Sequence, residues 1–157
     1  MVNIDLNHFR QLNIYTATTP DRMHMLDLGL FHYQIDYTCK LLQDKCKTGI
    51  VDEFDQRLSK ISRFPRLKIF KNGLENIKRF TADEFRNMMK VMVFVVEGLI
   101  LKYRKPNMSL GIANGLNKHL INVYINWCLM YLMSHQDCLT EVELISLQVL
   151  YLIIFIS

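Results

Sequence analysis

The sequence predicts an all-α protein with about five helices, and three observations support that fold class. Apolar residues recur every three or four positions through much of the chain, which is the spacing of one helix face. Thr81 to Glu84 and Thr140 to Glu143 each place a Glu three residues after a Thr, the pattern of an N-terminal capping box. No segment shows a convincing run of alternating apolar and polar residues, so no sheet is predicted.

Length and composition indicate one folded domain. The chain has 157 residues, of which 50% are hydrophobic and 22% are charged, so it can form an apolar core. The net charge is +4, and 16 of the 19 Lys and Arg residues lie in the basic middle between Lys40 and Lys105. Four cysteines lack zinc-binding spacing, and the N-terminus lacks the apolar run of a signal peptide. A reducing compartment, nuclear or cytoplasmic, is therefore expected.

The first 18 residues show no clear period and are predicted to be irregular. The first helix is predicted to begin at Thr18-Thr19-Pro20-Asp21 and to extend to about Cys46, since a Thr cap, an early Pro and an acid favour a helix start. Gly29 either loosens this helix or permits a close crossing. Two apolar stripes predict burial on more than one side: Leu28, Phe31, Ile35, Cys39 and Leu42, and Leu26, Leu30, Tyr33, Tyr37 and Leu41.

Four more helices are predicted after Gly49. A short amphipathic helix directly follows this glycine, and residues 63–73 are predicted to be a loop or, at most, a brief strand. A long helix extends from the first capping box to about Tyr103, and residues 105–115 form a loop rich in Pro, Asn and Gly. A helix over residues 116–135 and a last helix complete the series. The residues of the long helix that are predicted to face inward are Phe85, Met88, Met89, Met92, Val95, Val96 and Leu99.

The C-terminal segment, residues 149–157, is predicted to be an apolar tail. Its residues from Val149 to Ile156 are all apolar. A membrane-spanning helix needs roughly 20 such residues, so the tail is too short and no membrane partner is expected. The pattern is typical of a core element separated from the surface that covers it. It predicts an exposed apolar surface that favours self-association.

The most distinctive segment is TPDRMHMLDLGLF at residues 19–31. Asp21 and His24 form an Asp-x-x-His pair, and Leu28 and Gly29 follow it, ahead of an aromatic residue. This order resembles a signature of eukaryotic cut-and-paste transposases of the CACTA-like and KDZ (Kyakuja-Dileera-Zisupton) types, which are abundant in fungi. The likeness covers most of residues 19–148 and continues through three further blocks, residues 63–70, 74–94 and 124–148.

The resemblance implies a helical, insertion-type region of an RNase H-like transposase, acting in the nucleus without its catalytic sheet. Such transposases need three carboxylates that hold two divalent metal ions. Only about twenty residues precede Asp21, and Asp5 aligns with none of the three acids. No catalytic residue is therefore assigned. No cofactor is expected for this region, and Mg or Mn is expected only for a complete transposase.

Asp21, His24 and Asp27 are candidate metal ligands, because a spacing of three residues places them on one face of an α-helix. One interpretation is that they bind a divalent ion or a DNA phosphate, or orient a catalytic core. The other interpretation is that Asp21 caps the helix and that His24 hydrogen-bonds a carboxylate. The sequence leaves both interpretations open.

A basic stretch between residues 60 and 79 is opposed only by Glu75, and its cations are Lys60, Arg63, Arg66, Lys68, Lys71, Lys78 and Arg79. Three aromatic residues, Phe64, Phe70 and Phe80, are interleaved with or adjacent to them. One interpretation is sequence-independent contact with DNA phosphates, with the aromatic rings available to stack on bases. The other is a solvated loop whose aromatic rings are anchored in the core.

Two classes of function are consistent with these features. The first is a transposase-derived fragment that retains non-specific DNA binding and is catalytically inactive alone. The second is a helical protein–protein interaction module that associates with intact transposases or with other partners. A stand-alone nuclease is disfavoured, because no acidic triad is identified in the sequence.

Overall fold

The computed structural model describes Asp21, residues 23–62 and residues 64–156. The predicted irregular segment 1–18, most of the predicted first helix start and Arg63 lie outside this part of the chain. The described residues contain a π-helix and seven α-helices but no strand, so the all-α prediction is confirmed. The elements are the π-helix Met23–Leu30, α1 (Phe31–Lys45), α2 (Ile50–Ser59), a 3₁₀ turn Ile77–Arg79, α3 (Ala82–Met89), α4 (Met92–Val96), α5 (Leu99–Tyr103), α6 (Leu110–Met133) and α7 (Glu141–Ile156).

Helix α6 lies at the centre of the fold and packs against α4, α5 and α7. The π-helix packs against α1 and α3, and α2 packs against α1, α4 and α5. Phe31 of α1 is fully buried where these layers meet, and its ring contacts Phe85, Tyr124 and Trp127 at centroid distances of 6.2, 6.3 and 5.3 Å. This aromatic cluster joins the first, third and sixth α-helices into one core.

The first predicted helix exists, but its opening segment is a π-helix. Phe31, Ile35 and Leu42 of the first predicted stripe are buried, as expected. The prediction of burial along the second stripe is wrong at Tyr33 and Tyr37, which are 71% and 65% exposed. No described element covers that face, and a tyrosine tolerates such a position because its hydroxyl group remains in water.

The predicted long helix from Thr81 to Tyr103 is divided into α3, α4 and α5, so the expected number of helices is too small. Its capping box at Thr81 is confirmed, and all seven predicted inward residues are buried. The second break falls at Gly98, which has a φ of +64°, a left-handed conformation that glycine adopts without strain. Arg57 Nη1 donates to the carbonyl oxygens of Val95 and Glu97 at 3.2 and 2.6 Å. The break therefore leaves carbonyl groups that an arginine from α2 satisfies.

The predicted loop at residues 105–115 is shorter than expected, because α6 begins at Leu110. The hydroxyl of Ser109 accepts a hydrogen bond from the Ile112 amide at 3.3 Å and caps the helix there. Burial of Ala113 then stabilises an N-terminal segment that contains two glycines. A serine cap and tertiary packing thus outweigh the low helix propensity of glycine.

The last helix begins at the second predicted capping box. The Glu143 amide donates to the Thr140 hydroxyl at 3.3 Å, and the Thr140 amide donates to the Glu143 carboxylate at 2.8 Å. Residues 149–156, predicted as a separate apolar tail, continue α7. Across the described residues, no helix combines the length and apolar character needed to cross a membrane.

Candidate functional sites

The Asp21 and His24 side chains form a local pair at the start of the π-helix. Oδ1 of Asp21 accepts the His24 backbone amide at 3.2 Å, and His24 Nδ1 lies 2.5 Å from Asp21 Oδ2. The hydrogen bond from the His24 side chain, followed by the one from its backbone amide, lowers the pKa of Asp21. This geometry agrees with the interpretation in which Asp21 caps the helix and holds the histidine ring.

Asp27 points away from this pair, so the predicted three-residue face is wrong. It is buried, and its Oδ2 lies 3.7 Å from Nη1 of Arg86 on α3. Residues three apart align on an α-helix, but this segment is a π-helix with hydrogen bonds between residues five apart. Within the described part of the chain, no group of three or more His, Cys, Asp or Glu side chains is placed to hold a metal ion.

The remaining motif residues, Leu28 and Gly29, have a packing role. Leu28 is partly buried against the core. A Cβ atom on Gly29 would lie 2.8 Å from the carbonyl oxygen of His24, which is closer than van der Waals contact allows. The sequence left open whether Gly29 loosens the helix or permits a close crossing; the atom nearest to the added Cβ belongs to the preceding turn of the same helix and not to a crossing element.

Asp27 is the buried acid of this region, and neither its Oδ1 nor the hydroxyl of Tyr131 has a hydrogen-bond partner within the described residues. Burial raises the pKa of Asp27, and the neighbouring Tyr131 hydroxyl and Arg86 guanidinium only partly oppose that effect. Burial, reinforced by the Asp27 carboxylate, raises the pKa of Tyr131 to about 12. The sequence analysis missed Tyr131 and Arg86, because they are distant from Asp27 in sequence.

We expect Asp27→Asn to raise the melting temperature near neutral pH, because the amide removes a buried charge. A raised carboxyl pKa means that Asp27 contributes less stability as pH rises through its titration range, so the gain should shrink on acidification. Thermal unfolding followed by circular dichroism measures this, with the exposed Asp137→Asn as the matched control. A lower melting temperature for Asp27→Asn would instead indicate a stabilising ion pair with Arg86.

The basic connector, defined as residues 60–62 and 64–80 between α2 and α3, holds six of the seven predicted DNA-contacting cations. All six are exposed: Lys60, Arg66, Lys68, Lys71, Lys78 and Arg79. Lys68 is ion-paired with Glu84. Across the described residues, no acidic side chain lies within 4.0 Å of the charged groups of Lys71, Lys78 or Arg79. Most of this positive charge is therefore directed toward solvent.

Backbone contacts hold the basic connector against α2 and α3. The Leu74 amide donates to Asp55 Oδ1 at 3.1 Å, and the Lys68 amide donates to Asn87 Oδ1 at 3.4 Å. The Leu67 amide also donates to the Phe64 carbonyl at 3.0 Å, closing a turn in which Arg66 has a φ of +65°. A side chain in this left-handed region is uncommon and marks local strain. The connector is thus a fixed loop that holds its cations outward.

The three aromatic residues of the connector separate into two roles. Phe70 is buried, and its ring centroid lies 5.6 Å from that of Phe80, which is 5.8 Å from that of Phe85. Phe64, in contrast, is 72% exposed beside the Arg66 turn. Of the three, Phe64 alone is exposed enough to stack on a base. Phe70 and Phe80 instead anchor the loop in the core, which was the other interpretation of the sequence.

A second exposed surface is the apolar hairpin face of α6 and α7. We define it by eight aliphatic side chains that remain 41–73% exposed: Ile125, Leu129, Leu132, Val142, Leu144, Ile145, Val149 and Leu152. Few soluble monomers expose such a concentration of large aliphatic residues on two neighbouring helices. The sequence analysis predicted the apolar segment from residue 149, but not the exposed aliphatic residues between 125 and 145.

No family model, curated protein or solved structure matches this chain. The two exposed surfaces are therefore interpreted from their own geometry and charge.

Proposed function

We propose that this chain is a transposase-derived helical region that binds DNA without sequence specificity through the basic connector. One observation carries the proposal: a fixed loop of about twenty residues presents six exposed cations, and among the described residues only Lys68 of these six is paired with an acid. The transposase origin is supported by the resemblance of residues 19–148, and with it we propose a nuclear location. No catalytic residue is assigned to the chain.

Electrostatics favours a polyanion as the ligand of this surface. A cation that contacts a phosphate releases a condensed counterion, so affinity falls steeply as salt is added. Lys78 and Arg79 lie within the 3₁₀ turn Ile77–Arg79, and Lys71 precedes it in the connector. None of the three forms an ion pair with an acid of the described residues. Such contacts position a protein on DNA but read no sequence. The exposed ring of Phe64 would add stacking on an unpaired base.

The decisive experiment compares two triple variants with the same change in net charge. We expect Lys71→Ala/Lys78→Ala/Arg79→Ala to weaken binding to a labelled duplex at least about 10-fold at about 50 mM salt, because phosphate contacts are lost. The control, Lys40→Ala/Lys47→Ala/Lys118→Ala, removes exposed cations from α1, from the loop after α1 and from α6. Fluorescence anisotropy at about 50 and 200 mM salt gives both affinities and their salt dependence.

The control variant should bind nearly as well as the original chain and should retain its salt dependence. An equal loss in both triple variants would show that only net charge matters, and the basic connector would not be the binding surface. Absence of binding at the lower salt concentration would exclude the proposal altogether.

A second candidate function, a helical protein–protein interaction module, is favoured by the apolar hairpin face. Eight half-exposed aliphatic side chains contribute nothing to DNA binding, and their exposure is unfavourable in water. In the transposase-derived setting, the partners of this module would be transposase subunits or further copies of this chain.

A further inference from the structure

The exposed side of α7 has the repeat of a helix-pairing seam. Val142, Ile145, Val149 and Leu152 follow one another at intervals of three, four and three residues. Their side chains are 73%, 60%, 48% and 51% exposed. Intervals of three and four are those of the a and d positions in a heptad, and the β-branched and Leu residues found here are typical of such positions.

The opposite side of α7 already has its partner. Leu147, Leu150 and Ile154 are partly or fully buried in the contact with α6. The helix is thus apolar on two sides, although only one of them is covered by the described residues. A surface helix of a monomer needs one apolar stripe, so the second stripe requires its own explanation.

The charge pattern favours an apolar partner with a matching surface. Glu141 and Glu143 are the acids of α7, and the helix carries no charged residue from Leu144 to Ile156. A charged peptide or a nucleic acid would find no complementary group along the seam. A second copy of the same seam presents equally neutral, equally spaced residues, so it introduces no unpaired charge at the contact.

The available area is of the order that a dimer needs. A standard interface buries about 800 Å² per partner, and a homodimer interface is about 65% apolar, so roughly 500 Å² of it is apolar. Full burial of one aliphatic side chain removes about 100 Å² from water, so the four half-exposed residues of the seam provide roughly 200 Å². The other four residues of the apolar hairpin face, Ile125, Leu129, Leu132 and Leu144, provide roughly 200 Å² more if the neighbouring α6 takes part in the contact. A shallow hollow lined by Leu147, Gln148, Tyr151 and Leu152 adds a recess that can accept a facing side chain.

We propose that α7 pairs through this seam with α7 of a second copy of the chain, in a two-fold symmetric contact. Val149 faces its own counterpart in a parallel pair of helices, and it does so in an antiparallel pair that is centred on Val149, near the middle of α7. The proposal is independent of DNA binding, because the basic connector lies in a different segment of the chain.

The test uses the full chain and two charge substitutions at exposed apolar residues. Sedimentation equilibrium over low to high micromolar concentrations should show a concentration-dependent dimer. We expect Val149→Glu to weaken dimerisation at least about 100-fold, because two like charges would meet at the seam. Phe94→Glu is the matched control: it is 65% exposed on α4, outside the hairpin, and should dimerise like the original chain.

Charge complementation distinguishes specific pairing of two copies from nonspecific hydrophobic association. Val149→Lys and Val149→Glu chains should each be monomeric, and an equal mixture should form a heterodimer. A chain that stays monomeric at high micromolar concentration overturns the proposal, as does a chain that instead binds phosphatidylcholine vesicles. An equal loss of association in Phe94→Glu also overturns it, because the contact would then lie outside α7.

Discussion

Replacing Phe31 by Ala should lower the free energy of unfolding by roughly 3–5 kcal/mol, the usual cost of deleting a buried aromatic ring. The side chain is fully buried, and its ring contacts Phe85, Tyr124 and Trp127 from two other helices. Truncation leaves a cavity where α1, α3 and α6 meet. The structure cannot close such a cavity without shifting three helices, so the large end of the range is expected.

Urea unfolding followed by circular dichroism measures this loss, and Phe94→Ala is the control. Phe94 is 65% exposed, so its truncation should change the free energy of unfolding by less than about 0.5 kcal/mol. Similar losses for the two variants would contradict the arrangement in which Phe31 is the centre of the core. A retained dimer in Phe94→Ala, as for Phe94→Glu, would confirm that this residue lies outside the association surface.

The spacing of apolar residues was sufficient to predict where the core lies. Phe31, Ile35 and Leu42 were identified from spacing alone, and so were seven of the buried residues in the three helices that replace the predicted long one. Ala82, Asn87 and Ile100 of these helices are also buried and were not predicted. Both capping boxes have the predicted hydrogen bonds. Such features depend on residues three or four apart, so a single sequence contains the whole signal.

Features that depend on distant residues could not be predicted in this way. The break at Gly98 is stabilised by Arg57, which is about forty residues earlier in the sequence. Tyr33 and Tyr37 have the spacing of an apolar helix stripe, but whether that stripe is buried depends on which elements pack against α1. Periodicity identifies a face that is able to be buried, and tertiary packing decides whether it is.

The candidate sites show the same limit. The sequence left two interpretations open for Asp21 and His24, and the hydrogen bonds between them agree with the cap. The predicted alignment of Asp27 assumed an α-helix and failed because the segment is a π-helix. The exposure of the described basic residues is likewise visible only in the structure. The same is true of the aromatic residues beside them, because the sequence did not separate exposed Phe64 from buried Phe70. DNA binding itself stays a prediction.

The second large effect is expected at Glu53, which joins α2 to α5. Its carboxylate accepts hydrogen bonds from the Tyr103 hydroxyl at 2.8 Å, Arg57 Nε at 3.1 Å and Lys102 Nζ at 3.2 Å. These bonds, led by the one from Tyr103, lower the pKa of Glu53 from an ordinary 4.5 to about 2. We expect Glu53→Gln to lower the free energy of unfolding near neutral pH by roughly 2–3 kcal/mol.

The pH dependence gives this prediction a second, independent readout. Since the folded pKa of Glu53 is lowered, its contribution is complete above the unfolded pKa of 4.5 and is lost as pH falls toward about 2. The difference in unfolding free energy between the original chain and Glu53→Gln should therefore be constant near neutral pH and shrink below about pH 4.5. Glu75→Gln, an exposed acid of the basic connector, is the control and should show a much smaller difference. A Glu53→Gln difference that persists unchanged in acid would mean that the substitution acts through packing, because the amide fills the same space without titrating.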